Sequence, residues 1–124
     1  MRLLPLLLVL GGCAVTSSAA DNGQDLARAL EGRTAGPPQQ CVDASSPGNS
    51  LVALERRTLT IRDGRTLWVN RLAPGCPGFH STETLIVEVH EGRYCRNDRV
   101  RSVPAGGGIP GAACLLGEFV PYRK

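Results

Sequence analysis

The sequence predicts a mainly β domain, a small antiparallel sandwich or partly closed barrel with one short N-terminal helix, stapled by two disulfides. Three observations predict it. Short stretches of alternating apolar and polar residues recur between turn-forming Gly, Asn and Asp. A single segment near the amino end has helical spacing. Past a leader-like amino terminus, an even set of cysteines remains, Cys41, Cys76, Cys95 and Cys114.

The helix is expected over Asp25 to Glu31, where Leu26, Ala29 and Leu30 fall on one face and Gly32 follows as a stop. So short a helix is marginal alone and must dock. Gly36-Pro37-Pro38 prevents its continuation. The clearest hairpin joins Arg57 to Arg62 with Arg65 to Asn70 around Asp63-Gly64. A loop of those two residues sets Arg62 opposite Arg65 and Leu59 opposite Trp68. Leu59, Ile61 and Trp68 then share one face, and Leu67 and Val69 the other.

A second hairpin is expected around Glu91-Gly92, with Leu85, Val87 and Val89 facing inward and Arg93-Tyr94-Cys95 returning. Asn97-Asp98 reads as a turn before a strand at Arg99 to Val103, and Glu118 to Tyr122 as the last strand. Pro104 to Gly111, containing Gly106-Gly107-Gly108, reads as a loop.

The amino end is an address rather than structure. Met1-Arg2 is followed by an apolar run, Leu3 to Leu10, too short to span a bilayer. Leu10-Gly11-Gly12-Cys13 resembles a bacterial lipobox, which implies cleavage after residue 12 and lipidation of Cys13. An acyl anchor of that kind attaches a chain durably, since each buried methylene adds about 0.8 kcal/mol. Ordinary secretion is the alternative, with cleavage after Ser18-Ala19-Ala20. The expected organisation is a signal peptide over 1–12, a flexible tether over 13–24 and one domain over 25–124. In a host with two membranes, Ala14 lacks the aspartate associated with inner-membrane retention, which favours the periplasmic face of the outer membrane.

Either cleavage leaves the same four cysteines, as expected of an exported disulfide protein. No two lie close enough to form the C-x2-4-C knuckle of a zinc site, and no C-x-x-C pair offers redox chemistry. Four cysteines permit three connectivities, and their spacing does not choose among them.

Gly32-Arg33-Thr34-Ala35-Gly36-Pro37-Pro38 leading to Cys41, Leu67-Trp68-Val69-Asn70-Arg71-Leu72, Cys76-Pro77-Gly78-Phe79, Tyr94-Cys95 with Asp98, and Cys114-Leu115-Leu116-Gly117-Glu118-Phe119-Val120-Pro121 form a spaced set. On these residues the chain resembles an uncharacterised family of small exported proteobacterial proteins, often lipoproteins and common among sphingomonads. Trp68 and Phe79 stand where the resemblance leads one to expect tyrosine and leucine. It implies no catalytic motif. Relatives of this type that lack the second and fourth cysteines together imply the pairing Cys41–Cys95 and Cys76–Cys114.

The net charge of +3 includes Arg2 of the leader and is far from the concentrated basic stripe of a nucleic-acid binder. His80 and His90 are the side chains suited to general-base work near neutral pH. His90 shares an expected outward strand face with Glu88, an arrangement more often solvated than catalytic. Ser81 or Thr82, beside His80 and Glu83, is expected to cap a turn. Gly106-Gly107-Gly108 lacks the Lys-Ser/Thr that completes a phosphate loop. Trp68 with Arg62 and Arg65 is a candidate platform for a sugar or anion, core packing of Trp68 being the alternative. Arg93, Arg96, Arg99 and Arg101 crowd around Asp98, suited to anionic headgroups or acidic glycans, or simply to solvent.

No catalytic residue, metal site or cofactor is expected from these patterns. The expectation is a non-catalytic binding or structural module of the periplasm, held to the membrane by its anchor and meeting an envelope protein or glycan. The alternatives are a small hydrolytic or metal-dependent enzyme using His80, His90 or Glu88, and a small-ligand carrier with a mouth lined by Trp68 or Tyr94.

Overall fold

The computed structural model describes residues 23–46 and 48–124. The apolar leader, the Cys13 lipobox and the Ser18-Ala19-Ala20 site lie outside the described residues. The elements in chain order are α1 (Gln24–Ala29), β1 (Thr34–Ala35), β2 (Cys41–Asp43), β3 (Val52–Glu55), β4 (Thr58–Asp63), β5 (Thr66–Arg71), β6 (Thr84–Val87), β7 (Arg93–Cys95), β8 (Arg99–Val103), β9 (Cys114–Leu115) and β10 (Phe119–Arg123). The fold is mainly β, as predicted, and the sheets do not close into a barrel. A five-stranded sheet has the order β1-β10-β5-β4-β3, beside a β2-β7 pair and a β6-β8-β9 sheet, all antiparallel.

The β4–β5 hairpin forms in a different register from the one expected. Its loop is Gly64-Arg65, so Asp63 faces Thr66, Ile61 faces Trp68 and Leu59 faces Asn70. Gly64 has φ 57°, and the first central position is where a type II′ turn takes glycine. The displacement preserves the side-chain alternation, so the two faces keep the composition read from sequence. Leu59 and Ile61 enter the main core with Ala53 and Phe119, and Trp68 packs against them half-buried. Leu67 and Val69, on the other face, are also buried.

The chain entering the domain is bonded to this sheet at two places. The Leu26 N–H donates to Glu55 Oε1 at 3.0 Å at one edge of the sheet. Arg33 Nη1 then donates to the Arg65 carbonyl at 2.8 Å and the Tyr122 carbonyl at 3.3 Å near the other edge. Leu26 is the buried residue of α1, which ends before Gly32 at φ 70°. Docking thus supplies what six residues of helix cannot supply alone.

The second expected hairpin is corrected. Glu91 and Gly92 have φ 56° and 70° and do form a tight turn, but it closes a single bridge between His90 and Arg93. Beyond it the chain parts: β6 pairs with β8, and β7 pairs with β2. Leu85 and Val87 pack against the core, whereas Val89 is exposed. The disulfide at Cys95 and the burial of Val42 favour pairing with β2 over continuation of the local hairpin. The short strands β1, β2, β3 and β9 carry no marked alternation that would signal them in the sequence.

Both disulfides have the connectivity implied by the family resemblance. Cys41 and Cys95 face each other across β2 and β7, with Cα atoms 4.0 Å apart. Cys76–Cys114 ties the segment leaving β5 to β9, and so joins the large sheet to the three-stranded one. Between the sheets lie Val42, Leu51, Leu72, Phe79, Val100 and Leu116.

Candidate functional site

Much of the polar chemistry in the fold is occupied in holding the main chain. Asn70, fully buried, donates from Nδ2 to the Gly117 carbonyl at 2.7 Å and accepts at Oδ1 from the Gly117 N–H at 2.8 Å. A side chain on Gly117 would collide with the Arg71 carbonyl, so glycine is required there. Asp98 accepts from the Cys95 N–H at 2.8 Å and closes the turn in which Asn97 has φ 71°. That turn is bonded outward to both Gln40 and Leu116.

Asp43 organises the following loop in the same manner. Its carboxylate accepts from the Ser45 hydroxyl at 2.6 Å, the Ser46 hydroxyl at 2.7 Å and the Ser45 N–H at 3.1 Å. These bonds, led by the Ser45 hydroxyl, hold the Asp43 carboxyl down at about 2. The Glu83 carboxylate accepts from the His80 N–H at 3.2 Å, while the Glu83 N–H returns to the His80 carbonyl at 3.1 Å. The cap on this turn is therefore Glu83, where Ser81 or Thr82 was expected.

The structure does not assemble the Trp68 platform. Trp68 lies on the core-facing side with Ile61, while Arg62 alternates to the opposite face beside Leu67. Arg65 sits in the turn, where its carbonyl receives Arg33. The register places Arg123 at the same end of the sheet, opposite Thr66, with Nε donating to Thr66 Oγ1 at 3.2 Å. Arg62 and Arg65 thus belong to a basic end completed by Arg33 and Arg123, which distant sequence positions conceal.

Glu88 and His90 both lie beyond the end of β6 and are exposed, so regular strand alternation does not extend to this pair. His80 is also exposed, and it lines an open depression of about 280 Å³ with Asp25, Glu55, Arg56, Ser81 and Thr82. Sequence reasoning missed this grouping because α1, β3 and the 80–83 turn meet only after folding. Glu55 is already engaged by the Leu26 N–H. Among the described residues, no three of His, Cys, Asp and Glu come together as a metal-holding group.

A second open depression, of about 350 Å³, is lined by Leu51, Leu85, Ile86, Val87, Val89 and Tyr94. Partial burial there raises the Tyr94 pKa. Of the two aromatic residues offered for a carrier mouth, Tyr94 lines this depression and Trp68 does not. The arginines at 93, 96, 99 and 101 are all exposed, but divide between β7, the 95–98 turn and β8.

Comparison of the chain with protein families, with characterised proteins and with solved structures finds no match. Two disulfides fit an oxidising, exported environment. Among the described residues, no helix is long and apolar enough to cross a membrane.

Proposed function

We propose that this chain is an envelope lipoprotein, anchored through Cys13 and facing the periplasm from the outer membrane, whose domain acts as a non-catalytic binding or structural module. The observation that carries this reading is the use made of its polar residues. Asn70, Asp98, Asp43, Glu55 and Glu83 each bind backbone groups that the small fold must satisfy. The residues underlying the family resemblance have similar structural occupations. Asn70 grips Gly117, Asp98 closes its turn, and the four cysteines pair.

Two disulfides and the lipobox-like leader together support export followed by acylation. Intact-mass and N-terminal analysis of the protein from its native membrane tests the anchor. A diacylglycerol adduct on Cys13 is expected, and an unmodified chain starting at Asp21 overturns it. Chemical cross-linking in intact envelopes should then capture a specific protein or glycan.

The His80 depression supports a second reading, a small hydrolytic enzyme. Hydrolysis of ester or glycoside probes that is abolished by His80→Ala, with the fold unchanged, would favour that reading over the module.

A further inference from the structure

The loop joining β8 to β9, residues 104–113, is exposed at every position. Its sequence, Pro-Ala-Gly-Gly-Gly-Ile-Pro-Gly-Ala-Ala, contains no polar side chain. Gly and Pro are ordinary loop residues, but Asn, Asp and Ser, whose side chains satisfy their own backbone, are missing from it. Ile109 is 90% exposed, more than any other exposed large hydrophobic residue of the domain. The loop is tied internally by the Gly107 N–H to the Pro104 carbonyl at 3.0 Å, and to β8 by the Gly111 N–H to the Ser102 carbonyl at 2.9 Å.

The adjoining sheet carries a matching outer face. Val100 points inward and is fully buried, so Arg99 and Arg101 point outward. Arg101 stands opposite Ile86 and Arg99 opposite Leu115, apolar residues that are 45% and 40% exposed. Glu88 lies beside Arg99, its N–H donating to the Arg99 carbonyl at 3.3 Å, while exposed Thr84 and Ile86 share the outer face of β6 across from Arg101. Exposed aliphatic groups combined with cations suit a bilayer interface with anionic headgroups. A loop of Gly, Ala and Pro lacks the aromatic anchors and hydrogen-bonding side chains typical of a protein interface. Its backbone polar groups restrict it to the hydrated headgroup region, with only side chains reaching deeper.

We propose that the 104–113 loop and the outer face of β6-β8-β9 form a membrane-docking surface, with Ile109 entering the interface and Arg101 and Arg99 meeting lipid phosphates. The proposal rests on the envelope reading for its biological setting, but not on the anchor. All the described elements and both disulfides lie within 23–124, so the chain starting at Asp21 retains them and tests the surface without lipid.

The experiment is flotation of that oxidised chain with vesicles of phosphatidylcholine alone, or of phosphatidylcholine and phosphatidylglycerol in equal parts. Binding to the anionic vesicles is expected, weakened about tenfold by Arg101→Glu and by Ile109→Asp. Unchanged denaturation midpoints would show that both variants fold. In an Ile109→Trp variant, brominated lipid should quench the added indole while half-buried Trp68 is spared. Absence of vesicle binding, or equal binding by Ile109→Asp, overturns the proposal, as does Ile109-dependent binding to an envelope protein with none to vesicles. Because this chain bears no acyl group, failure here leaves the Cys13 anchor to be decided separately by mass.

Discussion

Asn70 and Gly117 form a reciprocal clamp, in which one buried side-chain amide binds both the N–H and the carbonyl of a single glycine. The clamp joins β5 to the segment between β9 and β10. Removing it leaves the N–H and carbonyl of half-buried Gly117 without this partner, so Asn70→Ala should destabilise the domain by about 2 kcal/mol. Asn70→Asp loses the donor while retaining the shape, and should be destabilising as well. Urea denaturation of the oxidised proteins measures both, and a change within error for Asn70→Ala would refute the clamp.

Glycine is required at position 78 for two reasons at once. Its φ is 89°, and an added Cβ would collide with the Arg56 carbonyl. The neighbouring Phe79 N–H donates to that same carbonyl at 2.7 Å. Gly78→Ala should therefore cost upwards of about 2 kcal/mol. Gly75→Ala, also at positive φ but in open space, should cost less, by the same denaturation measurement.

The disulfide loops overlap, with sequence separations of 54 and 38 residues. Loop entropy assigns each bridge roughly 4 kcal/mol as an upper figure. The double variant Cys76→Ser/Cys114→Ser should loosen β6, β8 and β9 before the β4–β5 hairpin, because that bridge joins the sheets. Hydrogen exchange resolved by residue tests the order. Equal acceleration in all strands would contradict it.

Asp43 titrates below an ordinary carboxylate because its hydrogen bonds favour the charged form. A folded pKa below the unfolded one contributes stability above the unfolded value of 3.8, which is lost as pH falls toward about 2. Carbon-detected titration of the Asp43 carboxyl should show the low midpoint. Ser45→Ala should raise it more than Ser46→Ala, following the order of the two hydroxyl contributions.

Glu91 adopts φ 56° immediately before Gly92 at φ 70°. A tight turn with both central residues left-handed prefers Asn-Gly. Glu91→Asn should stabilise by roughly 0.5 kcal/mol, read as a raised denaturation midpoint. A decrease would mean that the Glu91 side chain holds the turn.

Local chemistry made the mainly β class legible, together with the helix ended by Gly32, the β4 and β5 segments, the Asn97-Asp98 turn and β8. Each depends on residues only a few positions apart, where strand alternation and turn preference act directly. The even set of cysteines indicated an exported, stapled domain in the same direct way. Partner choice was decided only by tertiary structure. The local Glu91-Gly92 hairpin yielded to β6–β8 and β2–β7 pairing, and Asn70 met Gly117 across 47 positions. Arg62 was separated from Trp68 while joining Arg33 and Arg123 at the basic end, and His80 was brought beside α1 and β3. Such relationships depend on which faces can be buried together and which buried main-chain groups need partners, conditions met by the chain as a whole and not inscribed in any short segment.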